Sequence, residues 1–309
     1  MKNKKPYVSV VMPVFNAELY ISEAIESILG QTYTDFEFII INDGSSDGTE
    51  SVIKSYTDDR IVYIKQENAG VGITLRNGCA MAQGKFIARM DADDISLPDR
   101  LAKQVKFMEK NTDVVLISSA VKYINEKGAE IGRSFPYTSH WAIVRKMKFS
   151  SPICHPAAMF RRNIYELSGG YKNIQPFEDL ILWLAFLKYG KLHNLSNPLL
   201  KYRILNSSVS HSIQKEDQTK LLQFLLNKID NEKFNNETII EYRQFYNEIK
   251  AKTQKVNKTL IQVKKNNLKG LPSKIECQLF QYFTKLKIPT FISEFLICTL
   301  KNLSLFFRE

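Results

Sequence analysis

Lys85-Phe86-Ile87-Ala88-Arg89-Met90 runs without a break into Asp91-Ala92-Asp93-Asp94. The first six residues read as a short buried strand, and the next four set three carboxylates at its end. Upstream the arrangement recurs. Residues 8–15 are a dense apolar run stopping at Asn16, and residues 36–41 are another, stopping at Asn42-Asp43-Gly44. Between them Ile21, Ile25, Ile28 and Leu29 fall at helical spacing, with Gly30 placed to close the helix. Asp47 can cap a short helix reaching Tyr56. Residues 60–65 give a third strand and 72–82 a helix. Pro98 sits near the first turn of a helix running to about Lys110, and 114–124 is a fifth strand. Apolar strands alternating with helices predict an α/β protein with a parallel sheet covered on both faces. Ligands of such sheets bind beyond the carboxyl ends of the strands, where the polar clusters lie.

Between residues 128 and 206 the pattern is less regular, broken by Pro152, Pro156, Gly169, Gly170, Pro176 and Pro198. Residues 179–189 are an exception, a strongly apolar helix. From residue 215 onward the pattern is helical, so a domain boundary is expected near Ile213, with no internal repeat.

The chain has 309 residues, 44% hydrophobic and 24% charged, a globular balance that excludes wholesale disorder. Cys79, Cys154, Cys277 and Cys298 are scattered with no C-x-x-C pair. Reduced cytosolic thiols are expected rather than a disulfide framework or a zinc site. Lys2, Lys4 and Lys5 precede an apolar run, but Pro13 breaks it and no small-residue cleavage site follows, so it reads as a first strand. No run approaches the roughly 18–20 apolar residues of a membrane span, so a soluble or membrane-peripheral chain is expected. Of the net charge of +11, +4 falls on residues 1–211 and +7 on residues 212–309. Composition alone leaves nucleic acid, anionic membrane and acidic substrate open.

Three carboxylates within four residues repel one another unless a cation sits among them. Mn2+ and Mg2+ favour oxygen ligands, and Mg2+ is commonly held by one or two carboxylates plus substrate phosphates. The acidic turn therefore reads as a metal–diphosphate site; a solvated turn or helix cap is the competing reading. The cluster from Asn42 to Thr49 has glycines for a tight turn and side chains able to bond a base or ribose, or is a plain polar loop. Pro13, Phe15 and Asn16 end the first strand, where an aromatic can flank a nucleobase. Glu178 and Asp179 open a helix, where acids suit the dipole and cap the amides. A carboxylate held there can also serve as a base.

Taken in order, these segments closely resemble family 2 glycosyltransferases. The matching stretches are residues 8–16, the 42–49 loop, Leu75-Arg76-Asn77-Gly78, residues 84–94 and Leu97-Pro98-Asp99-Arg100-Leu101, and the resemblance covers residues 6–211. It implies a GT-A fold, a mostly parallel sheet flanked by helices, here with a helical C-terminal appendage over 214–309. It also implies inverting transfer from a nucleotide-diphosphate sugar, usually a UDP-sugar, to a hydroxyl of a glycan or lipid-linked acceptor. Residues 1–125 would be the nucleotide-binding half and 126–213 the acceptor-binding half. By the same resemblance Pro13 and Phe15 line the nucleotide pocket with Asn16, Asp43 contacts the base, and Arg76 lies near the diphosphate or base. Asp93 becomes the principal Mn2+ or Mg2+ ligand, and Asp91 lies on the ribose or metal with Ala92 beside it. Glu178-Asp179, followed by Leu182-Trp183, matches the family's acidic pair. That makes Asp179 the general base and Glu178 an acceptor contact or orienting partner. His155 falls in an acceptor-lining segment and Trp183 on the same side, although both also read as structural groups. Chemistry asks for the same parts: a departing nucleoside diphosphate needs cationic stabilisation, and the acceptor hydroxyl needs a base.

Two positions depart from the family. Leu205 stands where its Tyr-Arg-x-His segment has a metal-side histidine, leaving His211 as a substitute ligand. Ile181 replaces a common aspartate of structural character. The processive Gln-x-x-Arg-Trp signature is absent, so single addition is expected. Nucleic-acid binding through the basic tail is only a remote alternative, because the stretch 250–269 lacks an aromatic-interleaved, Arg-rich patch. A sugar nucleotidyltransferase would need a Gly-rich loop after the first strand. An inactive glycosyltransferase-like scaffold stays open through the missing histidine. Residues 250–307 carry lysines and an apolar face (Phe291, Phe295, Leu296, Leu300, Leu303, Phe307). That face either meets an anionic membrane, at about 1 kcal/mol per basic residue, or packs on the catalytic domain or a second subunit in a homodimer. The first alternative places a cytoplasmic enzyme on the inner face of the membrane.

Overall fold

β1 (Val8–Val14) is buried at every position, which is why its sequence reads as an unbroken apolar run. The computed structural model describes residues 5–147, 149–174, 176–205 and 220–224, with helical positions 227, 241, 244 and 247. α1 (Ile21–Leu29) turns Ile21, Ala24, Ile25 and Ile28 inward and ends where the Gly30 N–H reaches the Glu26 carbonyl at 2.8 Å. β2 (Phe36–Asp43) lies parallel to β1, with Val8 opposite Phe36 and Val14 opposite Asn42. It runs two residues beyond the expected end, so Asn42 and Asp43 belong to the strand, and Gly44 takes the following turn at φ +76°. α2 (Thr49–Lys54) begins after Gly48 rather than at Asp47, which supports it from outside by accepting the Thr49 N–H at 3.1 Å. β3 (Ile61–Gln66), α3 (Val71–Met81) and β4 (Phe86–Arg89) complete a wholly parallel half, ordered β3-β2-β1-β4.

The rest of the sheet follows from β5 (Ile95–Ser96), α4 (Arg100–Lys110) and β6 (Val114–Ile124), then β7 (Glu130–Arg133) and α5 (His140–Met147). A 3-10 turn (His155–Ala157), β8 (Met159–Arg161), α6 (Arg162–Leu167), α7 (Glu178–Phe186) and β9 (Lys191–Arg203) come next. The order continues β4-β8-β6-β9-β5, with β7 on β6. Three-residue β8 is antiparallel to both β4 and β6, while β9 runs parallel to β6 from Val114–Lys191 to Ile124–Arg203. The sheet is thus mostly parallel, with antiparallel pieces in the second half.

The region expected to be irregular therefore holds the longest strand. Pro198 hid it. It faces Ala120, where the register shifts on both sides, and a bulge is where a strand tolerates a residue without an N–H. Helices cover both faces. One buried cluster gathers Ile21, Ile25, Leu101 and Met108 against Val10, Phe38 and Phe86; the other gathers Leu75, Ile143, Leu180 and Trp183 against Val11, Ile39 and Phe160. Each such side chain contributes roughly 1.5–3 kcal/mol.

Gly84 lets β4 enter the sheet beside β1. A Cβ there would lie 2.6 Å from Ser9 N and 2.7 Å from Val8 C, both main-chain atoms in a paired strand. Gly84→Ala is expected to cost about 2–3 kcal/mol, read as a lowered urea midpoint at unchanged slope. An unchanged midpoint would mean that the strand entry yields.

No helix among the described residues is long and apolar enough to cross a membrane. His211, the boundary near Ile213, the basic stretch 250–269, the apolar face of 291–307, Cys277 and Cys298 lie outside the described residues. Cys79 and Cys154 are free thiols.

Candidate active site

The four parallel strands end at Val14, Asp43, Gln66 and Arg89, and Pro13, Phe15, Asn16, Asp43, Asp91, Ala92 and Asp93 sit on or just after these ends. Pro13 is buried, while Phe15 is 52% exposed and Asn16 lies beside it at φ +48°. The two first loops are knitted together. Asn16 N–H donates to Ser45 Oγ at 2.9 Å, Ser46 N–H donates to Asn16 Oδ1 at 2.8 Å, and Ala17 N–H donates to Thr49 Oγ1 at 2.8 Å. The polar side chains of the 42–49 loop thus hold the loop's own shape, leaving the Phe15 ring as its open face.

Asp43 is buried and anchors the next loop. Its Oδ1 accepts Ala69 N–H at 2.9 Å and Gln66 Nε2 at 2.8 Å, and its Oδ2 accepts Gly70 N–H at 3.0 Å. A carboxylate offers about four acceptor positions, so little of this one is left for a base. Arg76 is exposed on α3, whose first turn abuts the acceptor half: a Cβ on Gly72 would lie 3.7 Å from Glu178 Cβ.

In the acidic turn, one oxygen each of Asp91, Asp93 and Asp94 lies within 4.8 Å of the others. Burial and the Asp91 charge push Asp93 up to about 6, and burial with both neighbours raises Asp94 well above the carboxylate range. Asp94 Oδ1 accepts the Arg203 N–H at 2.8 Å, but its buried Oδ2 has no partner among the described residues. Mutual repulsion and an orphaned buried oxygen, itself costing about 1–3 kcal/mol, are both relieved by a hard cation. The all-oxygen donor set fits Mn2+ or Mg2+. Ala92 is buried between Asp91 and Asp93.

Two arginines absent from the expected site build this turn. Arg203, 2% exposed, donates from Nε to the Asp93 carbonyl at 2.8 Å and from Nη1 to the Glu126 carbonyl at 3.1 Å. It also pairs with Glu23 and lies 4.6 Å over the Tyr20 ring. The family's Tyr-Arg segment was the available signal for it. Arg89, 5% exposed, is ion-paired with Asp91. Nothing in the sequence separates it from any basic residue beside an apolar run.

On the acceptor side, Phe177 precedes α7 at φ +84°, a conformation that costs a bulky residue about 1–3 kcal/mol and recurs at functional sites. Glu178 and Asp179 follow. Burial and the Asp179 charge push Glu178 up to about 8; burial also raises Asp179, offset by the Ser151 hydroxyl, which donates to its Oδ2 at 3.0 Å. That hydrogen bond favours charge on Asp179, so the proton of the pair resides on Glu178. His155 lies 4.0 Å from Glu178 Oε1 through Nδ1 and 2.8 Å from the Tyr171 hydroxyl through Nε2. Burial and the Arg89 charge hold its imidazole well below its ordinary range, so it is neutral. Of the two readings of Trp183, the structure has the structural one and not the acceptor-side one: it is fully buried, edge-on to His155 and packed on Phe160 and Phe186, and offers no face to a sugar.

Because Glu178 keeps a proton in the folded protein that the unfolded chain releases near 4.5, stability should fall as pH rises from about 5 to 8. Glu178→Gln should flatten part of that slope in urea midpoints. An equally steep slope in the variant would remove the assignment.

A cavity of about 640 Å³ around Tyr7, Lys85 and Arg161 opens at the opposite, amino-terminal edge of the sheet. It shares no residue with the site just described.

A twisted α/β sheet with an acidic turn at its carboxyl edge defines the GT-A class of transferases. Residues 9–168 match Glycosyl transferase family 2, and the chain belongs to that family. It is a glycosyltransferase. It is 36% identical to the O-antigen biosynthesis glycosyltransferase WbnJ of Escherichia coli over 211 residues, 66% of this chain and 82% of that one. Among solved structures it resembles S. aureus TarS 1-349 in complex with UDP-GlcNAc, at a TM-score of 0.59 and 19% identity. That match covers 71% of this chain and 64% of TarS 1-349. The mannosyltransferase PcManGT of Pyrobaculum calidifontis, in complex with GDP-Man and Mn2+, aligns at a TM-score of 0.55 and 17% identity, over 99% of this chain and 89% of that one.

Proposed function

We propose that the protein moves a sugar, with inversion, from a UDP-sugar to a hydroxyl of a glycan or lipid-linked acceptor in polysaccharide biosynthesis. The observation that carries this reading is the pairing of two carboxylate groups with opposite needs. The acidic turn crowds three carboxylates that call for a cation, while Ser151 favours charge on Asp179 and burial favours the protonated form of Glu178. The O-antigen relative supports a glycan acceptor, and the TarS complex supports a uridine donor.

In the proposed reaction Phe15 stacks on the base, and Asp91, Asp93 and Asp94 would hold Mn2+ or Mg2+. That ion would supply positive charge to the departing diphosphate. Asp179 takes the proton of the acceptor hydroxyl as its oxygen bonds to the anomeric carbon and the bond from that carbon to the diphosphate oxygen breaks. Glu178, protonated, donates toward the acceptor. Neutral His155, held by the Tyr171 hydroxyl, lies beside it at 4.0 Å. Catalysis would lie within residues 1–213, and the 250–307 region would either pack on protein or meet an anionic membrane surface.

A thermal-shift screen of UDP-, GDP- and dTDP-sugars with Mn2+ tests the reading. A Tm rise with one base class, with sugar release from that donor, is expected. No shift and no release with any donor would leave an inactive scaffold.

A further inference from the structure

We propose that Arg89 is a diphosphate-binding residue of the donor site. The inference rests on the nucleotide-sugar reading and goes beyond it in naming the group that meets the phosphates. Arg89 ends β4, at the sheet edge where ligands of such folds bind. Its main chain is fixed on both sides: its N–H donates to the Ala158 carbonyl at 2.9 Å, and its carbonyl accepts Arg100 Nη2 at 2.6 Å. Arg100 is itself fully buried. The side chain therefore projects from a rigid base.

The guanidinium is half used. One terminal nitrogen is paired with Asp91, while Nε, also buried, has no hydrogen-bond partner among the described residues. A buried charged donor left without a partner is costly, so the group suits an acceptor that arrives. A planar guanidinium fork matches oxyanions, holding a carboxylate or phosphate through parallel hydrogen bonds. Its carboxylate is already present, on Asp91, in the turn where a donor's diphosphate would be carried. A neutral sugar or nucleobase would leave the charge unmatched. Asp91 is 28% exposed, so the ion pair borders the open side of the turn. The competing role is a purely structural one, in which Arg89 only offsets the Asp91 charge.

Calorimetric titration of the full chain separates the two. UDP and uridine, and GDP and guanosine, are titrated with and without Mn2+ into wild type, Arg89→Lys and Arg89→Met. Arg89→Met should bind the nucleoside diphosphate at least about tenfold more weakly in both conditions, with nucleoside affinity within about twofold. Arg89→Lys keeps the charge and loses the fork, and should fall between. If Arg89→Met does not fold, Arg89→Lys decides through the diphosphate-to-nucleoside affinity ratio. A ratio equal to that of wild type in the variants that fold would overturn the proposal. A wild type that binds no nucleoside diphosphate would instead remove the donor reading, and this proposal with it.

Discussion

Asp93→Ala is expected to lower sugar transfer by about 10²–10³-fold while leaving the protein at least as stable as wild type. The two effects have one cause. In the folded protein the Asp93 carboxyl is disfavoured by burial and by Asp91. Deleting it relieves repulsion. The contact that fixes the turn is unaffected, since Arg203 Nε donates to the Asp93 carbonyl and not to its side chain. A ligand set reduced to Asp91 and Asp94 should bind Mn2+ more weakly, so the diphosphate would leave without its counter-charge. Trading stability for a charged site is common in enzymes. Transfer rates, Mn2+ titration and Tm on the same preparations check this. Indistinguishable rates in wild type and variant would show that the acidic turn does not carry the chemistry.

Asp179→Asn should be comparably severe, about 10²–10⁴-fold in kcat, with nucleotide affinity unchanged. Asparagine keeps the shape and can still accept the Ser151 hydroxyl, so the loss isolates the proton transfer. Glu178→Gln keeps a hydrogen-bond donor in the place of the protonated acid and should cost much less. The order matters more than either size. If Glu178→Gln is the more damaging, the roles within the pair are reversed.

How much of this site could be read from the chain depended on whether a residue's role was local. β1 and α1 appear at their expected positions because an apolar run and a 3.6-residue period are set by near neighbours. The acidic turn and the Glu178-Asp179 pair were visible because carboxylates crowded in sequence are crowded in space. β9 was missed because its partner, β6, lies nearly eighty residues upstream, and Pro198 is acceptable only opposite the shifted register of β6. β8 was missed because three residues have no period. Arg89 and Ser151 escaped for a related reason. Each looks ordinary in sequence and gains its meaning from what the fold lays against it.

The sequence by itself determined the alternation of strand and helix, the family, and the identity of the carboxylates at the strand ends, because these follow from hydrophobic period and local composition. The tertiary structure decided which carboxyl keeps a proton, that Trp183 is core, that the Asp43 carboxylate is largely spent on a loop, and that two arginines are buried against the acidic turn. Those facts depend on burial and on charges brought close from distant parts of the chain. Both are properties of the packed molecule, and no short stretch of sequence carries them.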